Sequence, residues 1–488
     1  MPAAARTFYL IAIGGTAMTP LAALLTGRGD RVLGSDGPLY PPMSDRLAAL
    51  GIEVRPAFRP DNLTPDVTRV VVGNLARSDN PELLEALRRG LPTASMPETL
   101  HDEILAGRHP VVVAGTHGKT TTTALVAWVL ARAGRDPGFL VGGEPLNFDA
   151  PARLGSGPAF VVEGDESSTS YADHGPKFLH YAPRTFLLTS VEFDHADLYA
   201  DLDAVKEAFR KGLAIVPADG RVVAFADDPN VRDVLGAARA KVTLYSLSDG
   251  DADLFARNVA ESADGLSFEV LRRGEPLLSA ALPLSGRHNV ANALAAVAVG
   301  LEFGLTPDEI AAGLATFRGV KRRMEVKGTA AGVTVVDDFA HHPTAVASTI
   351  AGAKKRFPDR RVWAVFEPRS MTAGRADFFG PYLEALSNAD AVALAAPYHG
   401  ARLSLPGGPG ALDAAALVEK LQAKRLKALT ADSPDTLLAA LLPQLRNGDV
   451  VVTMSSGAFG GLPQKLLKAL GAGGAGAKSR VEGFGKPA

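Results

Sequence analysis

The fold is decided by one stretch of sequence, Val111-Val112-Val113-Ala114-Gly115-Thr116-His117-Gly118-Lys119-Thr120-Thr121. A short β-branched run leads into a glycine-rich turn, and an Ala- and Leu-rich segment with helical spacing follows it. Glycines let the backbone wrap a phosphate closely, and a helix start directs amide N–H groups and a positive dipole at that anion. Lys119 can then reach the β- and γ-phosphates, and the Thr120 hydroxyl can bind magnesium. We therefore predict an ATP-binding loop made of Gly115, Thr116, His117, Gly118, Lys119, Thr120 and Thr121.

This loop is shorter than the usual P-loop. The usual pattern has four residues between the first glycine and Gly-Lys, whereas only two separate Gly115 from Gly118. The alternative is a glycine-rich turn with a chance Lys-Thr pair. The strand before the turn and the helix after it favour the phosphate loop.

The same alternation of strand, loop and helix continues along the chain. Apolar strands that alternate with helices indicate parallel sheets covered on both faces, so we predict an α/β protein. The predicted strands are Phe8–Ile13, Val111–Val113, Phe160–Val162, Phe186–Leu188, Val333–Val336, Val362–Phe366 and Val450–Thr453. The clearest predicted helices are Thr121–Ala133 and Ala291–Leu301.

The length predicts about three domains, at roughly 150 residues per domain. Breaks in the pattern near Gly107–Pro110 and Phe317–Val320 set the boundaries. We predict a Rossmann-like domain over 1–107, a P-loop ATP-binding domain over 108–318 and a second Rossmann-like domain over 319–470. The low-complexity tail 471–488 is expected to be disordered.

Composition excludes several classes of protein. The 51 Lys and Arg residues nearly balance the 53 Asp and Glu residues, which argues against a protein that coats nucleic acid. There is no cysteine, so disulfides, thiolate metal sites and cysteine nucleophiles are excluded. Any metal must be bound by carboxylate, hydroxyl or imidazole groups, which favours hard cations such as magnesium.

Neither a membrane span nor an export signal is predicted. The longest apolar stretch, Val290–Leu305, contains Asn292 and Glu302 and is too short and polar to span a bilayer. The apolar run Phe8–Ile13 passes directly into a glycine turn without a cleavage site. We expect a cytoplasmic protein with no membrane or nucleic-acid partner.

Polar residues follow other predicted strands at their downstream ends. Glu163 follows one strand, and His195 follows the next, in Glu192-Phe193-Asp194-His195. Ligands of open α/β sheets bind at these carboxyl ends, so both residues could join Lys119 and Thr120 in one magnesium–nucleotide site. Taken singly, Glu163 could be a helix-capping acid and His195 a core or surface histidine.

Four further motifs are candidates for binding. His288, Asn289 and Asn292 open a helix, where amide side chains can contact an adenine edge, although Asn is also a common helix cap. The run Asp337-Asp338-Phe339-Ala340-His341-His342-Pro343 could be a metal site or a ribose-binding acid beside a structural His-Pro turn. Arg369 is a candidate carboxylate fork, and Ser455–Gly461 is a small-residue turn against a ligand or a helix.

The N-terminal third begins with a strand and the turn Gly14-Gly15-Thr16, and a second strand ends in Ser35-Asp36. This arrangement is that of a dinucleotide fold with its acid about 20 residues further on. The full Gly-x-Gly-x-x-Gly pattern is absent, so NAD binding is disfavoured. A nucleotide-sugar diphosphate would suit the same turn.

Together these motifs resemble the Mur ligase family, ATP-dependent enzymes that form amide bonds in peptidoglycan synthesis. The resemblance extends from Ile11 to about Leu467, and the family's short Gly-Thr-x-Gly-Lys-Thr loop matches this one. It implies magnesium binding by Thr120, Glu163 and His195, and a catalytic set of Lys119, Glu163, His195 and Arg323. It also implies adenine contacts from His288, Asn289 and Asn292, a γ-phosphate contact from Arg323 and a ribose contact from Asp338.

Within the family, the Gly-Gly-x-x-Met and Ser-Asp patterns are similar to the two members that use UDP-N-acetylmuramate. One adds L-alanine, and the other adds the recycled tripeptide L-alanyl-γ-D-glutamyl-meso-diaminopimelate. Several stretches resemble the tripeptide-adding member, which makes L-alanine addition the alternative. The substrate-binding residues that this resemblance implies are Gly14, Gly15, Thr16, Ser35, Asp36, Asn147, His341, Arg369 and Ser455.

The resemblance further implies ATP, UDP-N-acetylmuramate and a peptide acceptor as small-molecule partners, and a monomer or weak homo-oligomer. The sequence departs from the family in Glu163–Ser168, where a final acid is lost at Ser168. Arg210 stands where several members have a carbamylated lysine, so none is expected. Two other classes of protein were considered. The short loop together with the Asn292 motif disfavours a P-loop kinase or motor. The retained Lys119 disfavours an inactive nucleotide-sugar-binding protein.

Overall fold

In the computed structural model, which describes residues 6–40, 42–74 and 76–473, the strands form three sheets. The first sheet has the order β3-β2-β1-β4-β5, and all of its strand pairs are parallel. Its strands are β1 (Thr7–Ile11), β2 (Arg31–Asp36), β3 (Glu53–Pro56), β4 (Arg69–Val72) and β5 (Thr93–Ser95). Its helices are α1 (Met18–Gly27), α2 (Met43–Ala49), α3 (Pro81–Arg88) and α4 (Met96–Leu100).

The second sheet is the largest, with the order β15-β14-β13-β12-β11-β10-β6-β9-β7-β8. Its strands are β6 (His109–Ala114), β7 (Gly138–Leu140), β8 (Ala152–Arg153), β9 (Ala159–Gly164), β10 (Thr185–Leu188), β11 (Arg221–Phe225), β12 (Lys241–Ser246), β13 (Leu254–Ser262), β14 (Gly265–Arg272) and β15 (Glu275–Leu282). Its helices are α5 (Lys119–Arg132), α6 (Leu202–Ala214), α7 (Pro229–Val234), α8 (His288–Glu302) and α9 (Pro307–Ala315).

The third sheet has the order β16-β17-β21-β18-β19-β20, parallel except for the edge strand β16. Its strands are β16 (Glu325–Ala330), β17 (Val333–Asp338), β18 (Val362–Phe366), β19 (Ala391–Ala395), β20 (Lys427–Ala431) and β21 (Val450–Met454). Its helices are α10 (Pro343–Arg356), α11 (Phe379–Leu386), α12 (Gly400–Leu403), α13 (Ala414–Ala423), α14 (Pro434–Leu441) and α15 (Leu462–Gly473). Short 3-10 or π turns occur at Pro60–Asn62, His101–Leu105, Lys177–His180, Leu235–Ala237, Ala376–Phe378, Leu442–Gln444 and Phe459–Gly461.

These sheets belong to two compact units. The first unit runs up to Ala260 and adds Leu266–Leu284 and His288–Val320, so it holds the first sheet and most of the second. The second unit holds the third sheet, from Lys321 onward, and two short segments, Glu261–Gly265 and Ser285–Arg287. The predicted boundaries at 107/108 and 318/319 stay predictions.

The α/β class with three sheets is confirmed, and the differences from prediction are local. The first strand ends at Ile11 rather than Ile13, because Ala12 has a positive φ of 62° and turns the chain. The antiparallel pair β14–β15 was not predicted, since its exposed face interrupts the apolar runs. Helix α15 continues to Gly473, into the predicted tail, and the rest of that tail lies outside the described residues.

One feature of the second sheet matters most for function. Strand β6 lies between β9 and β10, so Ala114, Gly164 and Leu188 end side by side. The loops that follow these strands therefore start at the same edge of the sheet. Among the described residues, no helix combines the length and the apolar character needed to cross a membrane.

Candidate nucleotide and substrate sites

The two loop glycines are required by geometry. Gly115 and Gly118 have φ of 127° and 82°, which side-chain-bearing residues rarely adopt. A Cβ at Gly115 would overlap Thr189 Oγ1 and lie 2.8 Å from the amide nitrogen of Ser190. A Cβ at Gly118 would lie 2.9 Å from Asn292 Oδ1. The loop is therefore packed on both sides and fixed in shape.

The loop that follows β10 holds the phosphate loop in place. The Thr116 amide donates to the Ser190 carbonyl at 3.0 Å, and the Glu192 amide donates to Thr116 Oγ1 at 2.8 Å. The His117 amide donates to Ser190 Oγ at 2.9 Å, and His117 Nε2 lies 3.2 Å from Glu192 Oε2. The side chains of Thr116 and His117, which were predicted to contact ATP, thus contact protein here. Ser190 and Glu192 position the loop, a role that the sequence did not reveal.

Lys119 is the first residue of α5, and its ammonium group is already paired. Its Nζ donates to the Gly115 carbonyl at 2.7 Å and lies 3.0 and 2.8 Å from the two carboxylate oxygens of Glu166. Burial by itself lowers the pKa of Lys119, but the carboxylates of Glu166 and Asp165 outweigh it and raise the pKa above its usual value. The ammonium therefore stays charged, as phosphate binding requires.

Thr120 and Glu163 meet at the end of β9. Thr120 Oγ1 donates to Glu163 Oε1 at 2.9 Å, and the Gly142 amide donates to Glu163 Oε2 at 2.8 Å. A Cβ at Gly142 would lie 2.6 Å from Glu163 Oε2, so glycine gives the backbone access to the carboxylate. Thr121 is buried in the first turn of α5. These contacts do not support the helix-capping alternative for Glu163.

His195 approaches a different carboxylate. Its Nε2 lies 3.7 Å from Glu166 Oε1, and its amide donates to Asp194 Oδ1 at 2.7 Å. Asp165, Glu166 and His195 each offer one ligand atom within 4.8 Å of the others. The three predicted metal ligands are therefore divided: Thr120 pairs with Glu163, whereas His195 lies beside Glu166. Asp165 and Glu166 belong to the segment Glu163–Ser168 but were not among the predicted site residues.

Asp165 is kept ionised by a buried lysine. Lys177 is 7% exposed, and its Nζ lies 2.5 Å from Asp165 Oδ2. Burial raises the pKa of Asp165, but the charges of Lys177 and Lys119 outweigh it and hold the pKa well below its usual range. The available signal for this contact was a lysine directly before the mostly apolar stretch Phe178–Tyr181.

The predicted adenine residues lie on the first turn of α8. His288 is exposed at its start, whereas Asn289 and Asn292 are buried. Asn292 Nδ2 donates to Asn289 Oδ1 at 3.0 Å. Both asparagines lie inside the helix, so the helix-cap alternative does not apply to them. The Asn292 amide lies against Gly118, beside the phosphate loop.

The N-terminal glycine turn is closed by Asp36. The Gly14 amide donates to Asp36 Oδ2 at 2.7 Å, and a Cβ at Gly14 would overlap Leu39. Gly15 is half-buried and Thr16 is exposed. The predicted role of this turn in binding a nucleotide-sugar diphosphate stays a prediction.

Ser35 differs from its neighbour Asp36, because its side chain lies in the core. Its hydroxyl donates to Glu82 Oε2 at 2.5 Å, and Glu82 Oε1 also accepts from Tyr9 Oη at 2.8 Å and Asn62 Nδ2 at 2.6 Å. Burial raises the pKa of Tyr9 far above its usual value. The hydroxyl of Ser35 is thus used internally, and the predicted role of Ser35 in substrate binding stays a prediction.

Asn147 is also used internally. Its Nδ2 donates to the Thr316 carbonyl at 2.9 Å, and its Oδ1 accepts from the Arg318 amide at 2.7 Å. Both ends of the amide hold the segment that leads to Val320. Its predicted substrate contact would require these two bonds to break.

In the second unit, Asp338 organises the end of β17. Its Oδ2 accepts from the Met324 amide and its Oδ1 from the Ala340 amide, both at 2.7 Å. His341 Nδ1 lies 3.1 Å from the Phe339 carbonyl, and the His341 carbonyl accepts from a tyrosine hydroxyl. Within the described chain, the acids and histidines of 337–342 do not bring three ligand atoms of their own together, so this run does not form a metal site from its own residues alone.

The neighbouring residues Arg322 and Arg323 make different contacts. Arg322 Nη2 donates to the carbonyls of Ser455 and Gly457 at 2.8 and 2.6 Å, and its Nε donates to Asp337 Oδ2 at 3.1 Å. The Arg323 guanidinium carbon lies 5.1 Å from the Phe339 ring centroid. Arg322 therefore holds the turn, and the predicted γ-phosphate contact of Arg323 stays a prediction.

Arg369 packs against the small-residue turn. Its guanidinium carbon lies 4.0 Å from the ring centroid of the exposed Tyr398, and its Nη1 lies 3.6 Å from Glu367 Oε2. Ser455 Oγ donates to the same buried carboxylate of Glu367 at 2.5 Å. A Cβ at Gly457 would overlap the Arg369 side chain. The space at Gly457 is thus filled by Arg369 rather than left empty.

Within the turn Ser455–Gly461, Gly460 packs against another helix. Its φ is 59°, and a Cβ there would lie 2.9 Å from Pro434 Cβ. Gly461 also has a positive φ, of 71°. The alternative, in which this part of the turn lets a helix pack closely, holds at Gly460. Substitution there would disturb packing and would not report on acceptor binding.

Three family models match the chain. They are "Mur ligase family, catalytic domain" over residues 7–108, "Mur ligase middle domain" over 113–300 and "Mur ligase, glutamate ligase domain" over 322–457. Together they span all three sheets.

Relatives of known name match over nearly the full length. The UDP-N-acetylmuramate–L-alanyl-γ-D-glutamyl-meso-2,6-diaminoheptandioate ligase of Escherichia coli K12 is 36% identical over 463 residues, covering 95% of this chain and 98% of its own. The UDP-N-acetylmuramate–L-alanine ligase of Burkholderia cenocepacia HI2424 is 37% identical over 474 residues, with the same coverage. The crystal structure of a murein peptide ligase from Psychrobacter arcticus 273-4 superposes with a TM-score of 0.71 at 33% identity, covering 96% of this chain and 99% of its own.

Proposed function

The chain belongs to the Mur ligase family and is an ATP-dependent ligase that forms an amide bond, and we propose that it joins UDP-N-acetylmuramate to the tripeptide L-alanyl-γ-D-glutamyl-meso-diaminopimelate. The observation that carries the chemistry is the charged Lys119 on a rigid phosphate loop, with the carboxylates of Glu163 and Glu166 beside it. The E. coli and P. arcticus relatives support the tripeptide as acceptor.

ATP binding begins with an exchange of partners at Lys119. Its ammonium is held by Glu166 and by loop carbonyls, so the β- and γ-phosphates must replace the carboxylate. Backbone amides at the start of α5 complete the phosphate cradle. Asn292, beside Gly118, is suited to place the adenine at the same loop.

Magnesium fits the donors at this edge. Thr120, Glu163, Glu166 and His195 offer hydroxyl, carboxylate and imidazole groups, of which the oxygens are the ligands that this ion prefers. When bound, the ion neutralises phosphate charge during phosphoryl transfer. Lys119 supplies a fixed positive charge for the same purpose.

The reaction then has two steps. The lactyl carboxylate of UDP-N-acetylmuramate attacks the γ-phosphorus of ATP, which forms an acyl phosphate and releases ADP. The α-amine of the acceptor attacks the acyl carbon, loses a proton and expels inorganic phosphate. The turn at Gly14 with Asp36 is the proposed holder of the UDP-sugar, and positioning supplies most of the catalysis.

The acceptor decides between the two candidate activities. A tripeptide carries extra carboxylates and the amino-acid end of diaminopimelate, whereas alanine carries one carboxylate. Arg369 offers a planar fork for a carboxylate, held between Tyr398 and the turn at Gly457. L-alanine remains the second candidate because the B. cenocepacia relative is as similar in sequence.

A phosphate-release assay tests the proposal. The enzyme is given ATP, magnesium and UDP-N-acetylmuramate, with either the tripeptide or L-alanine as acceptor. We expect a much higher kcat/KM for the tripeptide. Efficient turnover of L-alanine with no response to the tripeptide would assign the chain to the alanine-adding activity.

Replacement of the proposed carboxylate fork tests the acceptor site itself. In Arg369→Ala, we expect the KM for tripeptide to rise about tenfold or more through the lost charge-assisted contact, with the KM for ATP nearly unchanged. Arg402→Ala, on the exposed surface of α12, is the matched control. Equal changes in both KM values would show that Arg369 acts through the fold rather than on the acceptor.

A further inference from the structure

The second sheet carries a cleft at the edge where its central parallel strands begin. It lies between the sheet and the last turn of α8, is open to solvent and has a cavity volume of about 120 Å³. Its charged lining consists of Arg221, Lys241, Arg272, Arg273, Asp253 and Glu302.

Three of the four cations in this cleft have no protein partner. Arg273 Nε is 3.0 Å from Asp253 Oδ1. The side chains of Arg221, Lys241 and Arg272 make no hydrogen bond or ion pair with any residue in the described parts of the chain. The cleft therefore has a surplus of positive charge that the protein does not neutralise.

The placement of two of these cations is unfavourable without a ligand. Arg221 and Lys241 are register partners at the starts of the neighbouring parallel strands β11 and β12, so their side chains leave the same face of the sheet. Like charges on paired strand positions destabilise a sheet. An anion bound between them would remove this repulsion.

Glu302 does not supply that anion. Its Oε1 accepts from Thr185 Oγ1 at 2.8 Å and lies 3.5 Å from His109 Nε2. Its Oε2 is buried and has no hydrogen-bond partner. Glu302 therefore makes no ion pair with the three cations and does not neutralise their charge.

We propose that this cleft is a second anion site, for a small molecule that carries two or more negative charges on phosphate or carboxylate oxygens. Arg221, Lys241 and Arg272 bind the charged oxygens. The phosphate loop follows the opposite ends of the strands, so the two sites are separate. Helix α8 extends from Asn292 at the loop to Glu302 at the cleft, roughly 15 Å along its axis.

Calorimetric titration tests the site with two probes, inorganic pyrophosphate and citrate. The enzyme is first saturated with a non-hydrolysable ATP analogue and excess magnesium, which blocks the phosphate loop. We expect one binding site, weakened about tenfold or more in the double variant Arg221→Gln/Lys241→Gln, because two charge-assisted contacts are lost. Lys420→Gln, on α13 in the other unit, removes a charge elsewhere and should bind as the wild type does.

The tighter of the two probes identifies the source of the anion, phosphate or carboxylate. Absence of binding by both probes would overturn the site, and so would equal binding by wild type and double variant. If the double variant does not fold, Arg272→Gln at the exposed end of β14 carries the same test. Ligase activity is not part of the readout, so the result is independent of the proposed function.

Discussion

The cationic side chains at the two edges of the second sheet differ in whether they are paired with an anion. At the carboxyl edge, Lys119 is buried and bonded to both oxygens of Glu166. At the amino edge, the side chains of Arg221 and Lys241 have no partner in the described chain. A paired cation must release one anion before it binds another. An unpaired cation can bind an anion directly, but until then it repels the like charge beside it. The first arrangement suits turnover and the second suits simple binding.

The largest effect is expected when the paired cation Lys119 is removed. In Lys119→Ala, we expect amide formation to fall by a factor of about 100 to 1000 or more, the typical loss for one charge-stabilising group. Binding of UDP-N-acetylmuramate should persist, because its proposed turn at Gly14 belongs to the first sheet. Phosphate release and equilibrium binding measure the two effects, with the exposed Lys211→Ala as control. Wild-type turnover in Lys119→Ala would end the assignment of the ATP site.

Removal of the metal donors gives the next largest effect. Glu163→Ala and His195→Ala should each raise the magnesium concentration for half-maximal activity by about tenfold or more, since even supporting groups around a metal contribute that much. The exposed Glu207→Ala on α6 should leave it unchanged. A crystal structure with ATP analogue and magnesium, in which both side chains lie well beyond the roughly 2.0–2.1 Å of a ligand bond, would contradict the assignment.

A smaller effect should follow when the paired cation at the carboxyl edge loses its partner. In Glu166→Gln, the phosphates no longer displace a carboxylate, so the Kd of ATP measured without magnesium should fall several-fold. The temperature midpoint of unfolding checks that the variant is folded. Weaker ATP binding would mean that Glu166 positions Lys119 instead of competing with phosphate.

The smallest effect concerns stability at the amino edge. Arg221→Gln/Lys241→Gln should raise Tm by about 1–2 °C, because one like-charge cross-strand pair is worth roughly 0.2–1 kcal/mol. Arg257→Gln breaks an ion pair with Glu269 on the same sheet and should leave Tm equal or lower. A lower Tm in the double variant would show that the two cations stabilise the sheet.

The parts of the site that could be predicted are those in which local sequence fixes local geometry. Val111–Val113 with the following Gly-Lys-Thr predicted a strand, a turn and a helix, and these are β6, the loop and α5. The strand order then brings Glu163 to Thr120. Adjacent strands of one sheet end together, so residues at strand ends could be grouped before their contacts were known.

What could not be predicted depends on side-chain partners distant in sequence. Ser35 has the same local pattern as a ligand-binding residue, but Glu82 on α3 takes its hydroxyl. The bonds of Asn147 to the segment at 316–318 leave no trace in the nearby sequence. Gly460 shows the same limit, because its need for a small side chain comes from Pro434. The role of such residues is decided by packing and not by motif.

The contact between Gly118 and Asn292 has a consequence for how the nucleotide site can change. A side chain at position 118 would meet Asn292 Oδ1 at 2.9 Å and would also have to adopt a φ of 82°. Gly118→Ala alone is therefore disfavoured by the contact with Asn292. A second substitution that shortens the side chain at Asn292 would remove this contact but not the backbone strain at position 118. Escape from an inhibitor that fills the space at this glycine would need at least two coordinated substitutions, and each intermediate would carry a damaged ATP site. Selection for resistance should consequently yield mutations elsewhere in the protein before it yields one at Gly118.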